Sequence, residues 1–399
     1  MHGIYTLCSS TKMPPWSPRT VKPNLQRLDG SVIYGSSLKE VEELRTFNDE
    51  HSKHKLVTLD GRELLPASLN LNDSCNIENQ AKYNRFCFKS GDSRINENML
   101  ITIMHTVWMR QHNLLAIGLK DMNPHWDDEL LFQEARKIVV AQLQHITYHE
   151  YVPSILGPAF MEALDISPME EGKHRDDYDP RLDASIANEF AAAAYRFGHS
   201  QIQGLVQRID GPMKNINFEQ LKKNFFHPFG LYDSDLTPEY VRGMGAQSAA
   251  AVDTFFTSQV TNRLFQPSSG KFGLDLAAIN IQRGRDHGLP GYTRWRMYCG
   301  LPPARNFSDL QYDMDQGALK ALEKVYKYND SALIVSGSDP QAIARKTESI
   351  LFGPKIKLNK LESFEIDNDL SGKRIGQGLQ DKLQHRTMER IINENADSF

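Results

Sequence analysis

Between residues 98 and 117 the chain sets Leu100, Ile103, Met104, Val107, Trp108 and then Leu114 or Leu115 at the i, i+3, i+4, i+7 spacing of one buried helical face. A second stretch, at about 127–149, repeats the period with Leu131, Ala135, Ile138, Val139, Leu143 and Ile146, and Pro153 lies just beyond its end. Both read as long core helices. A third spans about 183–198, with Ile186, Phe190, Ala193, Ala194 and Phe197 on one side, and residues 316–330 and 339–352 look helical too. Strand signals are sparse: the β-branched runs Ser31–Tyr34 and Ala332–Val335 are the best, and neither sits in a hairpin pattern. The expected class is mainly α, one large helical domain with very little strand.

Composition limits what such a globule does. Apolar residues make up 40% of the 399 and charged residues 24%, which is ordinary globular usage. A formal charge of −4 with mixed signs along the chain gives no overall attraction for nucleic acid or anionic lipid. No window approaches the 18 consecutive apolar residues of a membrane span. Residues 9–24 carry four prolines and read as irregular, while the tail 355–399 is charged and amide-rich and is broken by Gly372, Gly376 and Gly378. The stretch Met1–Cys8 shows neither the basic nor the apolar part of a secretory signal. Two features tilt toward an oxidising compartment all the same. Cys75 and Cys87 are close enough in sequence for an easy local disulfide, and Asn72, Asn306 and Asn329 each begin an Asn-x-Ser glycan sequon.

Two stretches carry chemistry. Ala191–His199 sets four alanines and a glycine on the approach to one histidine, a surface on which a flat group can lie close, with an axial ring nitrogen at its end. Such an open platform suits a haem better than a compact zinc cage. Leu276–Tyr292 runs from an apolar lead-in into dense polar residues, and buried polar groups must be paired. That pattern implies either an internal ion network of Arg283, Arg285 and Asp286 or a bound polar cofactor.

Five segments occur in the order and approximate spacing of the animal haem peroxidase family, which includes the peroxidasin and myeloperoxidase types. They are Asp29–Ser36, Met104–Ala116, Trp126–Val139, Tyr195–His199 and Asn280–Tyr292. The resemblance covers about residues 24–303, leaving 1–23 as an irregular, divergent start. Residues 304–399 follow as a divergent helical segment and polar tail on the same globule. It implies haem b held by His199 as proximal ligand, with Asn280 behind the ring and Arg196 and Arg283 as partners of the propionates. Across the haem, Ser93–Asn98 resembles the distal arginine segment. Arg94 would polarise peroxide, and Glu97 matches the carboxylate that becomes esterified to a haem methyl. Asn98 stands where myeloperoxidase types carry a methionine bonded to haem, so that link is expected to be missing. The implied activity is hydrogen-peroxide-dependent oxidation of phenolic or tyrosyl donors, or of halides, by a secreted protein that cross-links extracellular matrix. A peroxidase-like matrix protein without efficient turnover is the alternative.

Departures from the family sharpen that alternative. Only 28 residues precede Asp29, and His2, the one histidine among them, does not match the distal histidine by spacing or neighbours. Asp29 and Ser31 match two calcium ligands, but Leu25 and Arg27 stand where others belong, which leaves a hard cation short of oxygens. Cys299 lies where the family pairs a cysteine with a C-terminal partner not found here; it is either free or joined to Cys8. Beyond Gly300 the chain is either a diverged paralogue's or an incomplete gene's.

Overall fold

A computed structural model describes residues 28–326, apart from 46–61, 69, 71, 72, 74, 76–79, 84, 170–180, 182–185, 212–215, 234, 235, 268, 299 and 300. The expectations for 1–23, Leu25, Arg27, Asn72, Cys299, Asn329, the run 332–335, the helix 339–352 and the tail lie outside the described residues.

In chain order come α1 (Ser31–Tyr34), α2 (Leu38–Leu44), α3 (Met99–Met122), α4 (Asp128–Ile146), α5 (Val152–Leu156), α6 (Pro158–Ala163) and α7 (Asn188–Ala192). A two-stranded antiparallel ribbon, β1 (Leu205–Ile209) and β2 (Ile216–Gln220), precedes α8 (Leu236–Ala246), α9 (Ser258–Thr261), α10 (Leu276–Asp286), α11 (Tyr292–Tyr298) and α12 (Gln316–Val325). The protein is mainly α, as its periodicity implies.

The two long helices form the centre. Asn98 caps α3 by accepting from Leu100 N at 2.8 Å, and Asp127 caps α4 by accepting from Leu130 N at 2.9 Å. α3 buries Ile103, Val107 and Trp108, and α4 packs against it through Ala135 and Val139. Polar residues buried on α3 are satisfied locally: Thr102 Oγ1 donates to Ile95 O at 2.6 Å and Thr106 Oγ1 to Thr102 O at 2.8 Å. After Ile146 the helix widens into a π-turn, Thr147–Tyr151, before α5.

Two sequence expectations need correcting. Ser31–Tyr34, read as a strand candidate, is helical, because Asp29 Oδ1 accepts from Ser31 N at 2.9 Å and Gly30, at φ 70°, turns the chain into α1. Its Tyr34 hydroxyl then reaches His112 Nδ1 on α3 at 2.9 Å. The single helix expected over 183–198 is broken: α7 ends at Ala192, Ala193 leaves the helical region at φ −136°, and a 3₁₀ segment runs over Ala194–Gln201. The ribbon of β1 and β2 gave no strand signal because its five apolar residues do not alternate with the polar Gln, Arg, Asn and Glu in one regular period of two. It is held from behind by α8, whose Gly243 lies so close to β1 that a Cβ would sit 1.9 Å from Gln207 O.

Ile33, Ile103, Val107, Val139, Val206, Leu231 and Val260 belong to the main core, so α1, α3, α4, the ribbon and α9 share one interior. Cys75 and Cys87 are joined in a disulfide, with Cα atoms 5.9 Å apart, and Cys87 is fully buried in that core. Tyr292 of α11 packs with Ala304, Phe307, Leu310 and Leu319 in a smaller cluster, which ties the segment after 303 to the preceding chain. The sequon residue Asn306 is exposed and caps the turn Phe307–Leu310.

Candidate functional site

The 3₁₀ segment decides the geometry around His199. With about three residues per turn, side chains three apart eclipse, so Arg196 and His199 line up on one face. α10 offers a matching pair three apart on its own surface, Asn280 and Arg283. The two pairs meet. The Asn280 amide lies 2.8 Å from His199 Nδ1, and Arg196 is pushed below the usual arginine range by burial, then by Arg283 and by Arg94. A second tie fixes α7, which leads into the 3₁₀ segment, to the far end of α10: His287 Nδ1–H donates to Asn188 Oδ1 at 2.6 Å. The family motif flags neither residue of that tie as functional.

The surroundings of His199 favour its neutral form. Burial lowers its pKa, the Arg196 cation lowers it further, and the contact with Asn280 acts in the opposite direction. Asn280 Oδ1 is buried without a hydrogen-bond partner. The two ends of a side-chain amide are nearly isosteric, and turning this one over gives Oδ1 the His199 Nδ1–H as donor. The proton then sits on Nδ1, and Nε2 keeps a lone pair for a metal.

His199 opens onto a cavity of about 610 Å³. Leu100, Ile101, Ile202, Val206, Leu221, Phe225, Leu264 and Ile279 give it apolar walls, while Glu97, Asn98, Gln201 and Gln247 add polar groups. That is the composition and size of a cofactor or small-molecule site. Glu97 is half-buried and its carboxyl is pushed up by burial; Arg94 lowers it in part and Asp92 raises it. His199 is the one histidine among the residues lining the cavity.

Arg94 stands outside that lining, at the rim. Its side chain is 59% exposed and ion-paired with Asp92, yet close enough for its charge to act on both Glu97 and Arg196. Asp92 gave no signal in the sequence, since one acidic residue two positions before an arginine has no periodic or motif meaning. Neither Arg283 nor Arg285 has an ion-pair partner among the described residues, so the internal ion network with Asp286 does not form; Asp286 accepts instead from Gln282 Nε2 at 2.9 Å. Arg283 and Arg285 are exposed, whereas Arg196 Nε is buried without an acceptor. Three guanidinium groups therefore gather near one face with a single matching carboxylate contact. Arg196, Arg283 and Asn280, like Arg94, are not among the residues lining the cavity, but the arginines carry charge for two more carboxylates, which is what the propionates of a haem bring. The neutral imidazole, the apolar walls and the orphaned arginine nitrogen all fit that group. Asp29 and Ser31 face each other at α1 rather than converging with other acidic side chains, and no trio of His, Cys, Asp or Glu side chains suited to a metal ion occurs among the described residues.

Comparisons with known proteins identify the family. The family model described as animal haem peroxidase matches residues 18–338, beyond the 24–303 over which the motifs are recognisable. Peroxidasin of Drosophila melanogaster is 36% identical over 345 residues, which is 84% of this chain and 22% of that protein. Thyroid peroxidase of Sus scrofa is 38% identical over 292 residues, covering 71% of this chain and 31% of that one. The chain thus spans about a fifth to a third of these relatives' length. Among solved structures, peroxidase A from Dictyostelium discoideum superimposes with a TM-score of 0.67 at 26% identity, over 92% of this chain and 68% of that one. No helix among the described residues is long and apolar enough to cross a membrane. By sequence match and by fold, the chain belongs to the animal haem peroxidase family.

Proposed function

We propose that this chain binds haem b in the cavity beside His199 and uses hydrogen peroxide to oxidise phenolic or protein-tyrosyl donors one electron at a time. The observation that carries this reading is the His199–Asn280 pair, 2.8 Å apart, with His199 lining an apolar cavity. His199 Nε2 would be the axial ligand, and Asn280 would fix the ring by accepting from Nδ1–H. Arg196 and Arg283 would hold the propionates, and Glu97 would supply the carboxylate for an ester to a haem methyl. When bound, the haem supplies the iron at which peroxide is reduced. Arg94 would place a fixed positive charge and N–H donors against the peroxide oxygen on which negative charge develops. An extracellular setting suits the Cys75–Cys87 disulfide, and matrix proteins then become candidate donors.

One observation favours a second reading, a peroxidase-like matrix protein without efficient turnover. His199, on the proximal side, is the only histidine lining the cavity, so no described imidazole is placed to carry a proton between the two peroxide oxygens. The test is dityrosine formation by the haem-loaded chain with peroxide and tyrosine. Turnover that falls sharply in Arg94→Ala supports the first reading; a loaded chain no faster than free haem supports the second.

A further inference from the structure

A different pair of imidazoles lies far along α4, outside the cavity lining. α4 carries His145 in its last turn, and the π-turn that follows carries His149, four residues on. Both side chains are exposed. Their rings stack with centroids 3.9 Å apart and planes 26° from parallel, so the two imidazoles occupy one spot on the surface. His149 Nδ1–H donates to His145 O at 3.1 Å. That bond puts the His149 proton on Nδ1 and leaves Nε2 with a lone pair, the tautomer that metal-bound histidines adopt when a backbone carbonyl holds the other nitrogen. Glu150 lies next to the pair: its charge acts on His145, and its Oε1 is buried without a hydrogen-bond partner.

We propose that His145 and His149 form a two-imidazole binding site for a divalent transition metal of borderline softness, zinc or copper(II), with the Glu150 carboxylate supplying negative charge beside it. Two histidines four apart on one helical face are a recognised chelating arrangement, and imidazole is a ligand such ions prefer. No third His, Cys, Asp or Glu completes a cage among the described residues. Water fills the remaining positions, and the site takes up and releases an exchangeable ion rather than a structural one. The site does not depend on haem.

The test is titration of the full chain with zinc chloride and with copper(II) sulfate, followed by calorimetry, with paramagnetic resonance for copper. A His199→Gln background removes any event at the cavity. The tightest event weakens at least tenfold in His149→Gln and disappears in the His145→Gln/His149→Gln double variant, and Glu150→Gln weakens it several-fold. The copper spectrum shows two nitrogen ligands in the parent and loses that pattern in the double variant. Circular dichroism confirms that each exposed substitution leaves the fold intact; if the double variant unfolds, the His149→Gln comparison decides. Retention of the parent event in the folded double variant, or an unchanged event in His149→Gln, overturns the proposal.

Discussion

Asp92 grips Arg94 through three hydrogen bonds that run from the backbone to the guanidinium: Oδ1 accepts from Arg94 N at 2.8 Å and from Nε at 3.0 Å, and Oδ2 accepts from Nη2 at 2.6 Å. The carboxylate is 15% exposed and the guanidinium 59%, so the better-buried partner orients the freer one. Burial would raise the Asp92 carboxyl, but its bonds to Arg94 outweigh that and hold it below the ordinary range, while Arg94 is raised. Asp92 is in turn set by Gly91, which lies against α1 so closely that a Cβ would meet Ser31 O and Gly35 N at 2.3 Å.

Replacing Asp92 by Asn keeps the shape and removes the charge. Because a misplaced catalytic group loses roughly ten- to a hundredfold in rate, Asp92→Asn is expected to lower peroxide turnover of the haem-loaded chain by that order. Its Soret spectrum should stay unchanged. Steady-state kinetics against peroxide concentration checks this, and a variant as fast as its parent denies Asp92 a positioning role.

Gly91→Ala should destabilise the fold itself. The methyl would press on two backbone atoms, not on a side chain that can move aside, and overpacking of this kind costs about 1–3 kcal/mol. Urea unfolding should show the lower midpoint, and an unchanged midpoint would contradict the close approach of Gly91 to α1.

His105 and His112 make stability depend on pH. Burial pushes both down to about 4; for His105 Asp92 opposes the shift and Arg94 adds to it, and for His112 Arg45 and Arg136 add to it. Unfolded, both titrate near 6.5, so from there down to about 4 the unfolded chain binds protons that the folded chain does not. Folded stability is therefore fully present above about pH 6.5 and falls as the pH drops through that window, approaching about 3 kcal/mol per histidine. Urea midpoints at pH 7.5 and 5 should differ, and His112→Gln should shrink the difference. Equal midpoints in the parent would contradict the burial of these two rings.

Asn280→Ala should weaken haem binding about 10–100-fold, the usual cost of removing the group that orients a metal-bound histidine. Asn280→Asp keeps an acceptor at the same place and should bind more tightly than the alanine variant. Haem titration of the two variants measures it, and equal affinities would remove Asn280 from the site.

The long helices α3 and α4 were legible because their apolar period is set by one buried face, and the chemistry of Tyr195–His199 and Asn280–Tyr292 was legible because each motif is local. What escaped depends on contacts between distant residues. The break at Ala193 accompanies the tie of Asn188 to His287, 99 positions away, and no local rule in an alanine-rich stretch marks it. The 3₁₀ turn after it is what stacks Arg196 over His199, so the motif revealed the residues and concealed the geometry that aligns them. Ser31–Tyr34 misled for the opposite reason: its β-branched residues favour a strand, but Asp29 and Gly30 start a helix there. Of the ribbon, β1 packs against α8 and buries Val206 and Ile209, while β2 is mostly exposed, so neither strand shows a regular buried face in its sequence.

The central claim concerns what His199 holds, and one absorption spectrum tests it most directly. The full chain supplied with haem should develop a Soret band that saturates at one haem per chain, and His199→Ala, checked as folded by circular dichroism, should lose or shift it. A band of the same position and intensity in both proteins would contradict the account.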